Sequence, residues 1–481
     1  MSDPIAEIGA AEALTAHLSA SDLADVDLSY IRQDGNYQQI GQDPTYQTTT
    51  TASAGSTVRL DRFLPATLGV AAPVTFGVSR ATTTPDLLQG TDLRGSDLAG
   101  LRRPVSVSTS WAISLRRTAV SKHWWLHTLV DPLSLSAQTS NGNATGLLSN
   151  SSTSNYTVGA TYNLPIPSAG TVLDLTGIVG LLPGFLGHTE FGDGLRHPRL
   201  KLAPINVRWS SGLTYNQATY VSYLVPVVRS NDSLLSASQN LANIWRNSAG
   251  LTMQPFQALT LNADLASSRD LRQYPDSTPL GRLVRAQRSD FLGFDAGVER
   301  DRALTTSMAF SPAVSRWLHP RILRTSSFVL NRYLTGRDPV RANEDTTGRF
   351  LLPQTLNNTQ AWEVGAGIDL TQSVNAIFGD SSGMARAFRR VRPFDISRRT
   401  VLSSTFDMAA FQPSLGYQFA FGNTSDFLNQ QGAAALAATD GHTDALTGSA
   451  DLPGGFSLTA SYGLTAQSQY AQVLGTYQRT D

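Results

Sequence analysis

Val105-Ser-Val-Ser-Thr-Ser-Trp-Ala-Ile-Ser-Leu115 puts Val105, Val107, Trp111, Ile113 and Leu115 on one parity and small residues, mostly serine, on the other. Successive side chains of an extended backbone point to opposite faces, so this stretch is a β-strand with one greasy side and one wet side. The alternation returns at Tyr156–Leu164, Val207–Tyr215, Leu259–Leu265, Trp362–Leu370, Leu415–Phe421 and Phe456–Leu464. Such segments joined by turns make a long antiparallel sheet.

Charge follows the same division. Asp25 and Asp27, Arg208, Asp264, Asp295 and Glu299, Glu363 and Asp369, and Asp407 all fall on the polar parity, which leaves the apolar face free of charge. A lipid-facing surface requires this, because an Arg or Lys at the midplane of a barrel costs roughly 2–4 kcal/mol. A soluble sandwich requires it too, so strand length must choose between them. Globular strands average about 5–6 residues and membrane-crossing ones need about 9–11. The patterned runs here are mostly of the longer kind. Tyr156 and Tyr162, Trp209 and Tyr215, and Phe456 and Tyr462 each stand six residues apart on the apolar parity. That is about 20 Å along a strand, a loose fit to the aromatic belts that flank an apolar band of ~25 Å.

Composition bounds the class. Only 15% of the 481 residues are charged, against about 25% in soluble domains. The polar faces are built instead from Ser, Thr, Asn, Gln and Gly. The formal net charge is zero, so bulk electrostatics steer the chain toward neither nucleic acid nor an acidic surface. Cysteine is absent, which excludes disulfides, thiolate metal sites and cysteine nucleophiles. The most apolar stretch, Val172 to Leu186, is broken by Asp174 and Pro183, so a helical membrane span is excluded. Met1 to Ala20 carries Asp3, Glu7 and Glu12 where a secretory signal needs a basic region and an apolar core. The chain is accordingly read as a fragment of a longer polypeptide.

The expected organisation is an N-terminal loop or helix over 1–20, then a β-barrel segment of about sixteen antiparallel strands over 21–481. Insertions are expected near 82–103, 168–203, 232–250, 335–359, 376–399 and 423–443. Tight turns are expected at Leu64–Gly69, Leu164–Ser168 and Leu452–Gly455, where Pro and Gly cluster, and a longer connection at Ser140–Ser154. Ser233–Trp245, Met384–Val391 and Asp426–Thr439 break the period of two and read as short helices.

Three groups could carry chemistry. Gly379-Asp380-Ser381-Ser382-Gly383 fits the nucleophile-elbow pattern, with Asp407 and His442 downstream. An elbow works above a parallel sheet, and no βαβ units flank this one, so the segment reads as a Gly/Ser turn. His123 and His127 could share a side and hold a metal, but no third ligand is near. Beside Trp124 and Trp125 they read as an interfacial aromatic patch. Arg386, Arg389, Arg390, Arg392, Arg398 and Arg399 could bind phosphate or lipid headgroups; without a glycine-rich phosphate loop they read as solvated or lumen-lining charge. No catalytic, cofactor-binding or metal residue is assigned, and no enzymatic activity is expected.

Several strings have a further likeness. SASDLADVDLSYIRQDGNYQQIG (Ser19–Gly41), TTTTASAGSTVRLDRFLP (Thr48–Pro65), Thr82–Pro85 followed by Asp92-Leu93, KHWWLHTLVDPLSLS (Lys122–Ser136) and PSLGYQFAFG (Pro413–Gly422) resemble the late barrel region of the SprA/Sov family. That family is the outer-membrane translocon of the type IX secretion system, associated with gliding motility. The resemblance implies a transmembrane β-barrel of about 36 strands through which folded cargo passes. Its partners would be outer-membrane lipid, secreted cargo proteins and plug or gating subunits. Two alternatives stand beside it: a complete medium-sized porin or receptor barrel in the outer membrane, and a secreted soluble β-rich adhesin.

Overall fold

Alternation governs the folded chain. The computed structural model describes residues 10–35, 46–88, 93–166, 172–174, 199–201, 203–291, 293–312, 314–335, 337–341, 350–378, 391–452, 456–473 and 476–480. Almost all of them lie in antiparallel strands, with a few short helices in the connections. Seven long strands come first: β1 Ala11–Ala20, β2 Ala24–Gln33, β3 Gln47–Arg59, β4 Pro73–Pro85, β5 Val105–Arg117, β6 Leu133–Thr145 and β7 Ser149–Pro165. Next are β8 Pro204–Ser222, β9 Ser238–Phe256 and β10 Leu259–Asp270. The last group is β11 Val298–Phe310, β12 Leu318–Arg332, β13 Gln354–Ile368, β14 Phe394–Ala409, β15 Ala437–Leu452, β16 Phe456–Val473 and the short β17 Thr476–Thr480. Strands β1 to β16 are each 10 to 19 residues long, enough to cross a bilayer at about 9–11 residues.

The chain forms two compact units. One comprises Met1–Tyr162, Ser210–Arg246 and Asp270–Arg272, and the other Asn163–Trp209, Asn247–Arg269 and Gln273–Asp481. In the first, β1 to β7 form an up-and-down meander in which each strand pairs with the next. In the second, β11 to β17 do the same. Among the described residues five α-helices lie in the connections: α1 Trp124–Leu129, α2 Pro279–Ala286, α3 Leu370–Phe378, α4 Leu415–Gln418 and α5 Thr424–Leu428.

Several sequence expectations are corrected. Residues 11–20 are neither loop nor helix but β1, because Leu14, Ala16 and Leu18 alternate with Thr15, His17 and Ser19 and a turn at Ser21, in left-handed conformation, returns the chain to β2. Ser238 onward, within the expected helix Ser233–Trp245, is strand; Ser238, Asn240, Asn243 and Ser248 compete with a helical backbone for hydrogen bonds and outweigh the spacing of Leu241, Ile244 and Trp245. Ser140–Ser154 is a hairpin, since β6 and β7 run on to Thr145 and Ser149. The strand expected at Trp362–Leu370 ends at Ile368, and Leu370 opens α3. Asp426–Thr439 holds only the end of α5; Asn423 caps that helix in a capping box with Asp426, and left-handed Gln431 and Gly432 turn the chain into a small hairpin. Leu415–Phe421, expected as a strand, contains α4. Ser414 follows Pro413 and accepts from the Tyr417 amide at 3.2 Å, and this N-cap starts a helical turn where alternation alone suggests extension.

Candidate functional site

In the first unit the two faces can be read across the strands. One row joins Leu18, Val26, Ser56, Phe76, Trp111, Thr139 and Tyr156; the next joins Ala20, Ala24, Val58, Val74, Ile113, Ala137 and Val158. Leu14, Leu18, Leu28, Phe76, Trp111, Leu115, Leu135, Tyr156 and Val158 are all exposed on this side. The opposite side carries His17, Asp27, Gly55, Gly77, Ser110, Ser140 and Asn155 in one row. A shallow groove of about 550 Å³ crosses it, lined by His17, Asp27, Ser29, Ser53, Ser79 and Ser108 among others. His17 Nδ1 lies 2.7 Å from Asp27 Oδ1, and Ser79 and Ser108 share a 2.7 Å hydroxyl contact. A sheet with a bare greasy face and a small, hydroxyl-rich face can separate hydrocarbon from water.

The second unit uses its apolar parity differently. Its hydrophilic face is again small and polar, as in the row Thr305, Ser327, Thr359, Ser403, Thr439 and Gln469. On the other face, the end of the sheet nearest the β14–β15 connection carries Leu304, Phe328, Leu330, Leu356 and Phe406, and that connection lies over them. Tyr417 of α4, 2% exposed, packs edge-on against Phe328 and Phe406 at centroid distances of 6.1 and 5.8 Å. Phe427 of α5 closes on Tyr417 at 5.6 Å.

Polar groups fasten the segment. Arg324 Nη2 donates to the carbonyls of Phe419 and Ala420, both at 2.8 Å. Its guanidinium stands 4.4 Å from the Phe421 ring centroid. Ser404 and Tyr417 exchange a 2.8 Å hydroxyl contact, and Arg302 reaches Gln418 Oε1 at 3.0 Å. Asn358 Nδ2 donates to the Tyr417 carbonyl and Gln354 Nε2 to that of Phe411. Arg324 is 7% exposed and has no carboxylate partner among the described residues, so backbone carbonyls and aromatic rings solvate it. Toward the other end of the same face, Val364, Ile396, Leu446, Tyr462 and Leu464 are exposed. The expectation of a charge-free apolar parity is therefore corrected: Arg324, Arg398 and Asp444 sit on it here, the last two 3.7 Å apart, and Glu12, Arg32 and Arg80 sit on it in the first unit. In the second unit Arg324 is covered by the connection and Arg398 is paired with Asp444, which makes these charges tolerable.

Burial pushes the Tyr417 hydroxyl up to about 12 from an ordinary 10.0, against a smaller opposing effect of its hydrogen bond to Ser404. The folded value lies above the unfolded one, so the docked phenol contributes stability that is complete below pH 10 and is lost as pH rises toward 12. Raising the pH through this window should loosen the 410–436 connection before the strands separate, on a scale of about 2–3 kcal/mol. Hydrogen exchange of the Tyr417 to Phe421 amides checks this; exchange that does not change between pH 9 and 11.5, after correction for the intrinsic rate, would count against it.

The other sequence candidates do not converge. Gly379 to Gly383, and Arg386, Arg389 and Arg390, lie outside the described residues. Asp407 hydrogen-bonds Arg337 and Thr355 at 2.7 and 2.8 Å, and His442 sits on β15 opposite Thr400. Arg392 pairs with Asp451 at 3.1 Å and Arg398 with Asp444. His123 precedes α1 and His127 lies one turn along it. Among the described residues no group of three His, Asp or Glu could hold a metal. Sequence reading missed Arg324 and Tyr417. The available signals were a lone arginine in the apolar parity of β12 and the Pro413-Ser414 cap before an aromatic run.

No protein-family model matches the chain, and no curated protein matches it either. Among solved structures it is similar to the alcaligin outer membrane receptor FauA from Bordetella pertussis, at 12% identity over 98% of this chain and 67% of that one, with a TM-score of 0.30. It is similar to the siderophore receptor PirA from Pseudomonas aeruginosa at 10% identity, covering 97% of this chain and 71% of that one, with a TM-score of 0.30. The copper transporter OprC gives 9% identity over 97% and 71% of the two chains, with a TM-score of 0.29. Overlap this loose carries no argument, and the functional reading rests on the strands themselves.

Proposed function

We propose that this chain is a strand-spanning transport protein of the bacterial outer membrane, its greasy parity set in lipid and its hydroxyl-rich parity lining an aqueous path. The observation that carries the reading is the first unit's seven-strand face, whose large apolar side chains stand exposed while the opposite face is mostly Ser, Thr, Gly and Asn. A soluble adhesin would cover such a face with a second layer. Among the described residues nothing does. Transport is passive on this reading, and no side chain is assigned a chemical step.

Of the narrower readings, a porin or receptor barrel takes an even number of strands, usually about 8 to 26 in a single chain. The type IX translocon reading rests on the strings at Ser19–Gly41, Thr48–Pro65 and Lys122–Ser136, and it needs about 36 strands. Reconstitution into vesicles separates the two. Under the porin or receptor reading, the chain alone migrates as a compact species unless boiled and gives discrete conductance in a planar bilayer. Under the translocon reading it inserts but forms no closed pore, and secreted cargo or gating subunits co-purify with the full-length protein. Failure to enter vesicles under any condition would remove both.

A further inference from the structure

The greasy face of the first unit does not stop where its strands end. Two connections leave the same end of the sheet, residues 60–72 between β3 and β4 and residues 118–132 between β5 and β6. They are joined to each other. The Gly69 carbonyl accepts from the amides of Thr118 and Ala119 at 2.7 and 3.2 Å, and Val70 and Ala71 pair with Arg117 and Arg116. Gly69 has φ +55°, and a Cβ there would stand 2.1 Å from that of Ala119, so the close approach itself calls for glycine. Arg117 and Asp131 pair at 3.0 Å, and Asp131 also accepts from the Ser121 amide at 2.7 Å. The result is one braced lobe.

Its position is fixed by Tyr162, which lies on the greasy parity of β7 opposite Leu133 and donates to the Thr128 carbonyl of α1 at 2.7 Å. The helix therefore sits at the edge of the apolar face and extends it. What the lobe shows outward is unlike a solvated loop: Phe63 is 69% exposed, Val120 77% and Trp124 79%, with Leu68, Trp125 and Leu129 exposed beside them. A contiguous apolar patch of this kind marks an interaction surface. Its chemistry is also specific. Adjacent Trp residues, each with an apolar body and one N–H donor, favour the boundary between hydrocarbon and water. Lys122 is exposed at the start of the helix, while Asp61 is engaged with the Ala72 amide and Asp131 with Arg117. The Lys122 charge has no matching acid in the lobe.

We infer that this lobe is a membrane-interface anchor: residues 60–72 and 118–132 seat Phe63, Val120, Trp124 and Leu129 at the headgroup layer and present Lys122 to anionic headgroups. The inference rests on the outer-membrane reading and adds to it an orientation and a lipid preference for one end of the sheet. The chain has no cysteine, so single-cysteine variants can be labelled directly. Val120→Cys reports the lobe and Val158→Cys the mid-strand greasy face. Each is labelled with an environment-sensitive fluorophore and placed in phosphatidylcholine vesicles, with and without phosphatidylglycerol, carrying a nitroxide at the headgroup or at mid-chain. Quenching of the Val158→Cys label by the mid-chain nitroxide, and of the Val120→Cys label by the headgroup nitroxide with shielding from aqueous iodide, is expected. Phosphatidylglycerol should deepen the Val120→Cys quenching, and adding Lys122→Glu should abolish that increment. If the Val120→Cys label is open to iodide while the Val158→Cys label is quenched in lipid, the anchor is wrong and the membrane reading stands. If both labels are open to iodide, both fall. An anionic increment unchanged by Lys122→Glu would overturn the headgroup contact.

Discussion

Replacing Tyr417 by Ala is expected to free the 410–436 connection from its sheet, because the ring fills the centre of the cluster formed with Phe328, Phe406 and Phe427. Truncating a buried aromatic to Ala costs about 3–5 kcal/mol, which corresponds to an opening equilibrium shifted by about 10²–10⁴-fold. Chymotrypsin is the natural probe, since Phe419, Phe421 and Phe427 all lie in this connection. With opening fast relative to cleavage, the cutting rate follows the open population. Tyr417→Phe keeps the ring and loses only the hydroxyl contact with Ser404, so its cost should be about 0.5–1.5 kcal/mol. Equal cleavage of the wild type and Tyr417→Ala would show that the cluster does not hold the segment.

Val158→Arg should be the most damaging single change on the first unit's greasy face. Val158 lies near the middle of β7, in the row with Val58, Val74, Ile113 and Ala137, and is exposed. A guanidinium placed there in lipid costs roughly 2–4 kcal/mol, while the same substitution on the hydroxyl-rich face meets water. Thr157→Arg, one residue away on the opposite face, is the matched comparison. Denaturant unfolding from vesicles should separate the two variants by that amount. Equal midpoints would mean that Val158 does not face hydrocarbon, and the reading of the faces would have to be abandoned.

The contrast between Val158 and Tyr417 indicates how far the sequence could be read. Val158 was legible because its role follows from a period of two: Tyr156, Val158, Ala160 and Tyr162 share a face whatever the strand pairs with. Tyr417 was not, because Leu415 to Phe421 also alternates, and only the Ser414 cap and a sheet able to receive the ring decide that it turns instead. Ser233 to Trp245 erred the other way, with helical spacing that carries little weight when Ser and Asn fill the gaps. Arg324 had no local signal beyond its presence on an apolar parity, since the carbonyls of Phe419 and Ala420 that solvate it come from 95 and 96 residues further along the chain.

By itself the sequence determined the class of structure, the face taken by most side chains of its strands and the smallness of its polar surface, because these follow from the local geometry of an extended backbone. Only the tertiary structure decided which part of the greasy parity stays bare and which is covered by the chain's own connection, that Arg324 is sheltered there, and that two separate loops join at Gly69 into one apolar lobe. Those outcomes depend on contacts between residues far apart in the chain, and a pattern with a period of two says nothing about who the distant neighbour will be.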